Sequence, residues 1–208
     1  MAYYPLSVDL NGRKCVVIGG GAVAERKVEM LREFGAAVLV VSPQACSCIR
    51  LLALDGSIEY LPETYSPELL EGAFLAIAAT DDREVNRAVS EDARSRGVLV
   101  NVVDDPELCT FTVPAYVRRG DVTIGISTAG QGPALAKRIR EILEKTIGPE
   151  YGELAELLGQ LRGEIKARYP DYAERNRAYL RILDSDVLQL LAEGKRDEAN
   201  ERARECIS

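Results

Sequence analysis

Apolar runs alternate with polar stretches of helical length along the first half of the chain, and this alternation predicts the elements. Val16, Val17 and Ile18 form an unbroken β-branched triplet, which suits a strand covered on both faces. Glycines follow, and then a helix bracketed by Val28 and Leu31 that ends at Gly35, a natural C-cap, ahead of a strand over Ala37 to Ser42. A short strand near Ile58 to Leu61, the apolar run Phe74 to Ala79, a polar helix from about Glu84 to Arg96 and a strand over Val98 to Val103 continue the series. Strands alternating with helices predict a doubly wound parallel sheet.

The texture changes at Phe111. Phe111 to Val117 and Val122 to Ser127 read as two strands joined through Arg118-Arg119-Gly120-Asp121, so a second, smaller unit starts here. Pro133 is a favoured first helical residue, and Leu135, Ile139, Ile142 and Leu143 then recur at helical spacing, with Lys137, Arg138, Arg140 and Lys145 on the other face. Beyond Gly148-Pro149 the pattern is all helical: Leu154, Leu157, Leu158, Leu161 and Ile165 make one stripe, Pro170 ends it, and short helices are expected around Tyr179 to Leu183, Val187 to Leu191 and Glu198 to Cys206.

Composition narrows the function classes. With 47% hydrophobic and 28% charged residues, the 208-residue chain is that of an ordinary globular protein. Its 26 lysines and arginines against 33 acids give a net charge of −7, which argues against nucleic acid or an anionic membrane surface as the main partner. The opening MAYYPLSVDLNGRK lacks a basic segment followed by an apolar core, and no apolar run reaches membrane-spanning length, so a cytoplasmic protein is expected. Histidine is absent, which removes Ser-His-Asp and Cys-His chemistry and every zinc motif that needs imidazole. Five scattered cysteines read as reduced thiols, with Cys15 in the core. Cys46 and Cys48 form a C-x-C pair, but no second cysteine pair and no histidine complete four ligands, so no metal site is expected.

The candidate chemistry lies at the predicted strand ends. Gly19, Gly21 and Ala24 fit the G-x-G-x-x-A pattern: the first allows a tight turn, the second lets backbone approach a pyrophosphate, and the alanine packs the helix closely on the strand. The first-turn N–H groups, including those of Ala22 and Val23, would face the phosphates; a ligand-free glycine turn is the alternative. At the end of the second strand, where a carboxylate usually holds the ribose, the chain has Ser42-Pro43. The nearest arginine, Arg50, is eight residues on, which favours NAD over NADP. Thr80 and Asp81 stand at the carboxyl edge of the sheet, where one reading puts them on the cofactor and the other uses Asp81 or Asp82 to cap the next helix. Asn101, Val103 and Asp104 close the last strand. Asp104 could move a proton without histidine, or could be an Asx-turn residue before Pro106. The loop Thr128-Ala129-Gly130-Gln131-Gly132 is an anion site in waiting, or a plain helix cap with solvated charges.

Taken together, PLSVDLNGRKCVVIGGGAVAERKVEML, DDREVN, NVVDDPELCTFTVPA and RRGDVTIGISTAGQGPALAKRIRE resemble the precorrin-2 dehydrogenase/sirohydrochlorin ferrochelatase family, the siroheme synthase amino-terminal family. The resemblance covers most of the chain and weakens beyond about residue 150. It implies an α/β fold with a Rossmann domain over 1–113, a small α+β dimerisation and tetrapyrrole-binding region over 114–147, and a helical domain over 148–208, in a homodimer. It also implies NAD-dependent oxidation of precorrin-2 to sirohydrochlorin, with ferrous iron as a further substrate where a chelatase step follows; dehydrogenation alone, or a dinucleotide sensor without turnover, are the alternatives. The carried-over roles are catalytic for Asp104; cofactor-binding for Gly19, Gly21, Ala22, Val23, Ala24, Ser42, Pro43, Thr80, Asp81, Asn101 and Val103; and substrate-binding for Thr128, Gly130, Gln131, Gly132 and Lys137. No methyltransferase segment follows, so a stand-alone enzyme fed with precorrin-2 by another protein is expected.

Overall fold

The computed structural model describes residues 4–208, so Met1 to Tyr3, part of the leader argument, lie outside it. Two compact units divide between Val113 and Pro114. In the first, β1 (Lys14–Ile18), β2 (Ala37–Val41), β3 (Glu59–Leu61), β4 (Leu75–Ala78) and β5 (Leu99–Val102) form a five-stranded sheet of order β3-β2-β1-β4-β5. Every pairing is parallel. The order reverses between β1 and β4, which opens a crevice at their carboxyl ends.

Side-chain alternation splits the strands between two cores. Cys15, Val17, Val38, Val40, Leu75 and Ile77 pack with Val28 and Leu31 of α1 (Ala22–Glu33) and with Ile49 of α2 (Ser47–Leu54). Val16, Ile18, Leu39, Val41, Ala76 and Ala78 pack on the other side with Val89 and Ala93 of α3 (Arg83–Ser95). Burial on both faces is why these strands read as unbroken apolar runs. The helix α2 was not expected from the sequence: only Ile49 is buried, while Leu51 and Leu54 face solvent, so no apolar period announces it.

In the second unit β6 (Ala115–Arg119) and β7 (Val122–Ile126) make an antiparallel hairpin through Gly120 and Asp121. The first of these strands is shorter than the expected Phe111 to Val117. The N–H groups of Thr110 and Phe111 both donate to Val100 O, at 2.8 and 3.4 Å, which ties them to β5, and Pro114 has no N–H to offer a ladder. The hairpin is followed by α4 (Pro133–Thr146) and α5 (Glu150–Arg168). Arg119 Nε donates to Ile147 O at 2.9 Å and its Nη2 to Glu144 O at 3.1 Å, satisfying carbonyls at the end of α4.

The stripe of α5 packs with α6 (Tyr172–Leu183), α7 (Val187–Ala192) and α8 (Arg196–Cys206) around Leu157, Leu161, Ile165, Ile182, Val187 and Ile207. The helix α6 starts seven residues before the expected Tyr179. Its first turns are polar, so periodicity misses them, but Asp171 caps the helix by accepting from Glu174 N at 3.0 Å.

Candidate functional site

The carboxyl edge of the parallel sheet is built around the glycine turn. Gly19 has φ +122, and a Cβ there would lie 2.3 Å from Ala79 O; a Cβ on Gly20 would lie 2.0 Å from Gln44 O. Both positions exclude side chains because the loops after β2 and β4 close against the turn. Gly21 differs: a Cβ there would meet no atom within 4 Å, so packing does not demand this glycine. It is the N-cap of α1 with extended backbone and no side-chain cap, and Ala22 beside it is exposed. The first-turn amides and the positive end of the helix therefore face open space, as a dinucleotide pyrophosphate requires. Ala24 is fully buried, letting the helix sit close on the sheet.

The neighbouring loops arrange the other candidates. Ser42 is half-buried, with its hydroxyl donating to Gln44 O at 2.7 Å, and Pro43 is exposed beside it. Arg50 donates to Ala45 O at 2.8 Å. Thr80 is held by Asn86: its hydroxyl donates to Asn86 Oδ1 at 2.8 Å, and Asn86 Nδ2 returns a bond to Thr80 O at 2.9 Å. Asp82 is the residue that caps α3, accepting from Glu84 N and Val85 N at 2.9 and 3.3 Å, while Asp81 stays exposed. Asn101 is buried and gives Nδ2 to Phe111 O at 3.1 Å, so its amide braces the loop after β5.

Val103 N donates to Ala78 O at 3.0 Å, and the chain then turns sharply at Asp104. Asp104 has φ +60, a left-handed conformation that aspartate tolerates better than most residues, at roughly 1–2 kcal/mol. Its carboxylate is exposed and accepts no hydrogen bond from the described residues, so it does not close an Asx turn. A residue that the sequence reading missed stands near it. Lys27, half-buried one turn beyond Ala24, feels the charges of Asp104 and Cys109; burial first and Arg26 next pull its ammonium below the usual lysine range, and Asp104 and Cys109 oppose them. A lysine on the buried stripe Ala24, Val28, Leu31 was the available signal.

Thr128, Gly130, Gln131, Gly132 and Lys137 belong to the other unit. Thr128 organises much of the loop, its carbonyl accepting from Gln131 N at 3.0 Å and its Oγ1 from Gly132 N at 3.2 Å, while Ser127 Oγ accepts from Ala129 N at 3.3 Å. Gly132 caps α4 without a side chain. Arg138 and Arg140 are ion-paired with Glu141 and Glu144, at 3.4 and 3.3 Å, whereas Lys137 is exposed and makes no ion pair among the described residues. The expected stripe of α4 is not core: Leu135 and Ile142 are 57% and 51% exposed, and only Ala136 is buried.

A parallel sheet with a switch point, a side-chain-free turn and an open helix N-terminus defines a dinucleotide-binding α/β protein. Comparison with known proteins agrees. A family model described as NAD(P)-binding matches residues 6–115, the sirohaem biosynthesis protein central model matches 119–146, and the sirohaem synthase dimerisation region matches 150–207. The siroheme synthase of Chromobacterium violaceum is 41% identical over 203 residues, 98% of this chain and 43% of that protein. That of Thioalkalivibrio sulfidiphilus is 40% identical over 207 residues, 100% of this chain and 42% of that protein. The chain thus spans less than half the length of these relatives. The solved structure of SirC, precorrin-2 dehydrogenase, superposes with a TM-score of 0.77 at 26% identity, covering 98% of this chain and all of that one. The chain belongs to the precorrin-2 dehydrogenase/sirohydrochlorin ferrochelatase family. Among the described residues no helix is long and apolar enough to cross a membrane.

Proposed function

We propose that this chain oxidises precorrin-2 to sirohydrochlorin, with NAD as hydride acceptor, as a cytoplasmic homodimer. The observation that carries the reading is the exposed Asp104 carboxylate, which accepts no hydrogen bond from the described residues and is held in a left-handed turn at the same sheet edge as the open glycine cradle. Bound in that cradle, NAD supplies the acceptor for the two electrons and one proton that leave as hydride. The remaining proton goes to an Asp104 carboxylate oxygen, and Lys27 sets a positive charge beside it. Amides of Ala22 and Val23 would hold the pyrophosphate, and residues of the Ser42-Pro43 and Thr80-Asp81 loops would hold the rest of the cofactor. No arginine stands immediately after Ser42 in the chain, the nearest being Arg50 eight residues on, which favours NAD. The glycine loop at Thr128 and the exposed Lys137 suit a substrate rich in carboxylates. Solvent-exposed Leu135 and Ile142 on α4 suit a face covered by a second copy.

The test is anaerobic turnover of precorrin-2 with NAD. Asp104→Ala should lower the rate by about 10²–10⁴-fold with NAD affinity retained, the range that a positioned acid or base contributes; an unchanged rate removes Asp104 from the mechanism. Tight NAD binding with no NADH formed by the wild type would favour a sensor instead. Supplying sirohydrochlorin and ferrous iron without NAD tests the iron-insertion step separately.

A further inference from the structure

On the side of α1 away from Lys27, two carboxylates meet two thiols. Glu25 and Glu29 lie one helical turn apart, and Lys27 between them points about 200° around the helix from Glu25. A carboxylate oxygen of each and the Cys48 sulfur all lie within 4.8 Å of one another. Cys46 stands outside that set of three but adjoins it through Glu25, its thiol donating to Glu25 Oε2 at 3.2 Å. The α2 side of the cluster is anchored, since Cys46 N donates to Gly20 O at 2.8 Å and Ile49 is fully buried. The α1 side is anchored by buried Ala24 and Val28.

The cluster is electrostatically one-sided. Two carboxylates and the thiols beside them, all of them acidic groups, are drawn together there. A divalent cation would replace that mutual repulsion with attraction. Two sulfurs with two oxygens suit a borderline ion that accepts four ligands, and they suit magnesium or calcium poorly. Glu29 is exposed and the other three groups are half-buried, so an ion can enter from solvent.

We propose that Glu25, Glu29, Cys46 and Cys48 bind one divalent ion of the zinc class, at a site separate from Asp104. Binding exchanges the two thiol protons for two metal–sulfur bonds and releases those protons to solvent, with no change of oxidation state.

The full chain, reduced and metal-free, is titrated with cobalt(II) and then with zinc. One cobalt per chain, with thiolate-to-metal absorption in the near ultraviolet that one equivalent of zinc bleaches, is the expected result. Cys48→Ser and Glu29→Gln should each weaken binding by about 10-fold or more. The double variant Cys46→Ser/Cys48→Ser should lose the absorption, and Cys206→Ser, in the other unit, should change nothing. No thiolate absorption at millimolar cobalt, its survival in the double variant, or unchanged affinity in Glu29→Gln overturns the site. Glu29 is exposed, so that last variant keeps its fold and reads binding alone.

Discussion

The two glycine loops share a local grammar and differ in what holds them. Each follows a strand and opens a helix whose glycine N-cap carries no side-chain cap, Gly21 before α1 and Gly132 before α4. The first is clamped by residues distant in sequence: Gly19 N donates to Val41 O at 2.9 Å, Cys46 N to Gly20 O at 2.8 Å and Ala79 N to Ile18 O at 2.8 Å. The second is held through Thr128 and Ser127, within the loop itself, with Ala129 at φ +51 and Gly130 at φ +80. A cradle for one fixed pyrophosphate gains from a sheet that sets its geometry before the ligand arrives. A loop with only local bonds opens at lower free energy, which suits a ligand that is large and bears many carboxylates.

The sharpest way to break this contrast is to add side chains to both loops. Gly20→Val drives carbon into the Gln44 carbonyl and should cost about 3 kcal/mol or more, or prevent folding altogether. Gly130→Ala meets no atom within 4 Å and should cost only about 1 kcal/mol, through its positive φ. Urea unfolding measures both, and equal losses would erase the distinction. Next in size is Gly21→Asp, where the side chain fits but a negative charge occupies the phosphate position. NAD affinity by calorimetry should fall on the order of 100-fold, while stability stays level or rises by roughly 0.3 kcal/mol, because aspartate caps helices only slightly better than glycine.

The strand feeding the first loop also carries a pH signature that the second loop lacks. Cys15 is fully buried, and burial pushes its thiol up to about 11 from 9.0. Because the folded value is the higher one, this contribution is complete below pH 9 and is lost as pH rises through 11. Stability should fall by about 2–3 kcal/mol over that window, and Cys15→Ala should remove that part of the slope. The smallest effect is expected at α3, whose N-terminus is already satisfied by Asp82: Asp82→Ala should cost about 1 kcal/mol in stability and leave NAD affinity unchanged. A loss of affinity there would mean that the capped helix, too, takes part in binding.

Much of the architecture was legible because it is local. The triplet Val16-Val17-Ile18, the side-chain-free turn and the Gly35 terminus each follow from residues within a few positions of one another, and all three appear where expected. Where local pattern was weak, reading failed: α2 turns Leu51 and Leu54 to solvent, and the polar first turns of α6 carry no apolar period. Phe111 looked like the start of a strand and, with Thr110 before it, is bonded to β5 instead.

By itself, then, the sequence determined the strand and helix alternation, the glycine turn and the family, since these rest on period, turn chemistry and motif. Only the tertiary structure decided that Lys27 feels the charge of Asp104, that Glu25 and Glu29 meet Cys48 with Cys46 beside Glu25, and that α4 leaves Leu135 and Ile142 exposed. Those pairings join residues up to 77 positions apart. They depend on which strands lie side by side and which helix covers them, an order set by burial of the whole sheet rather than by any local window.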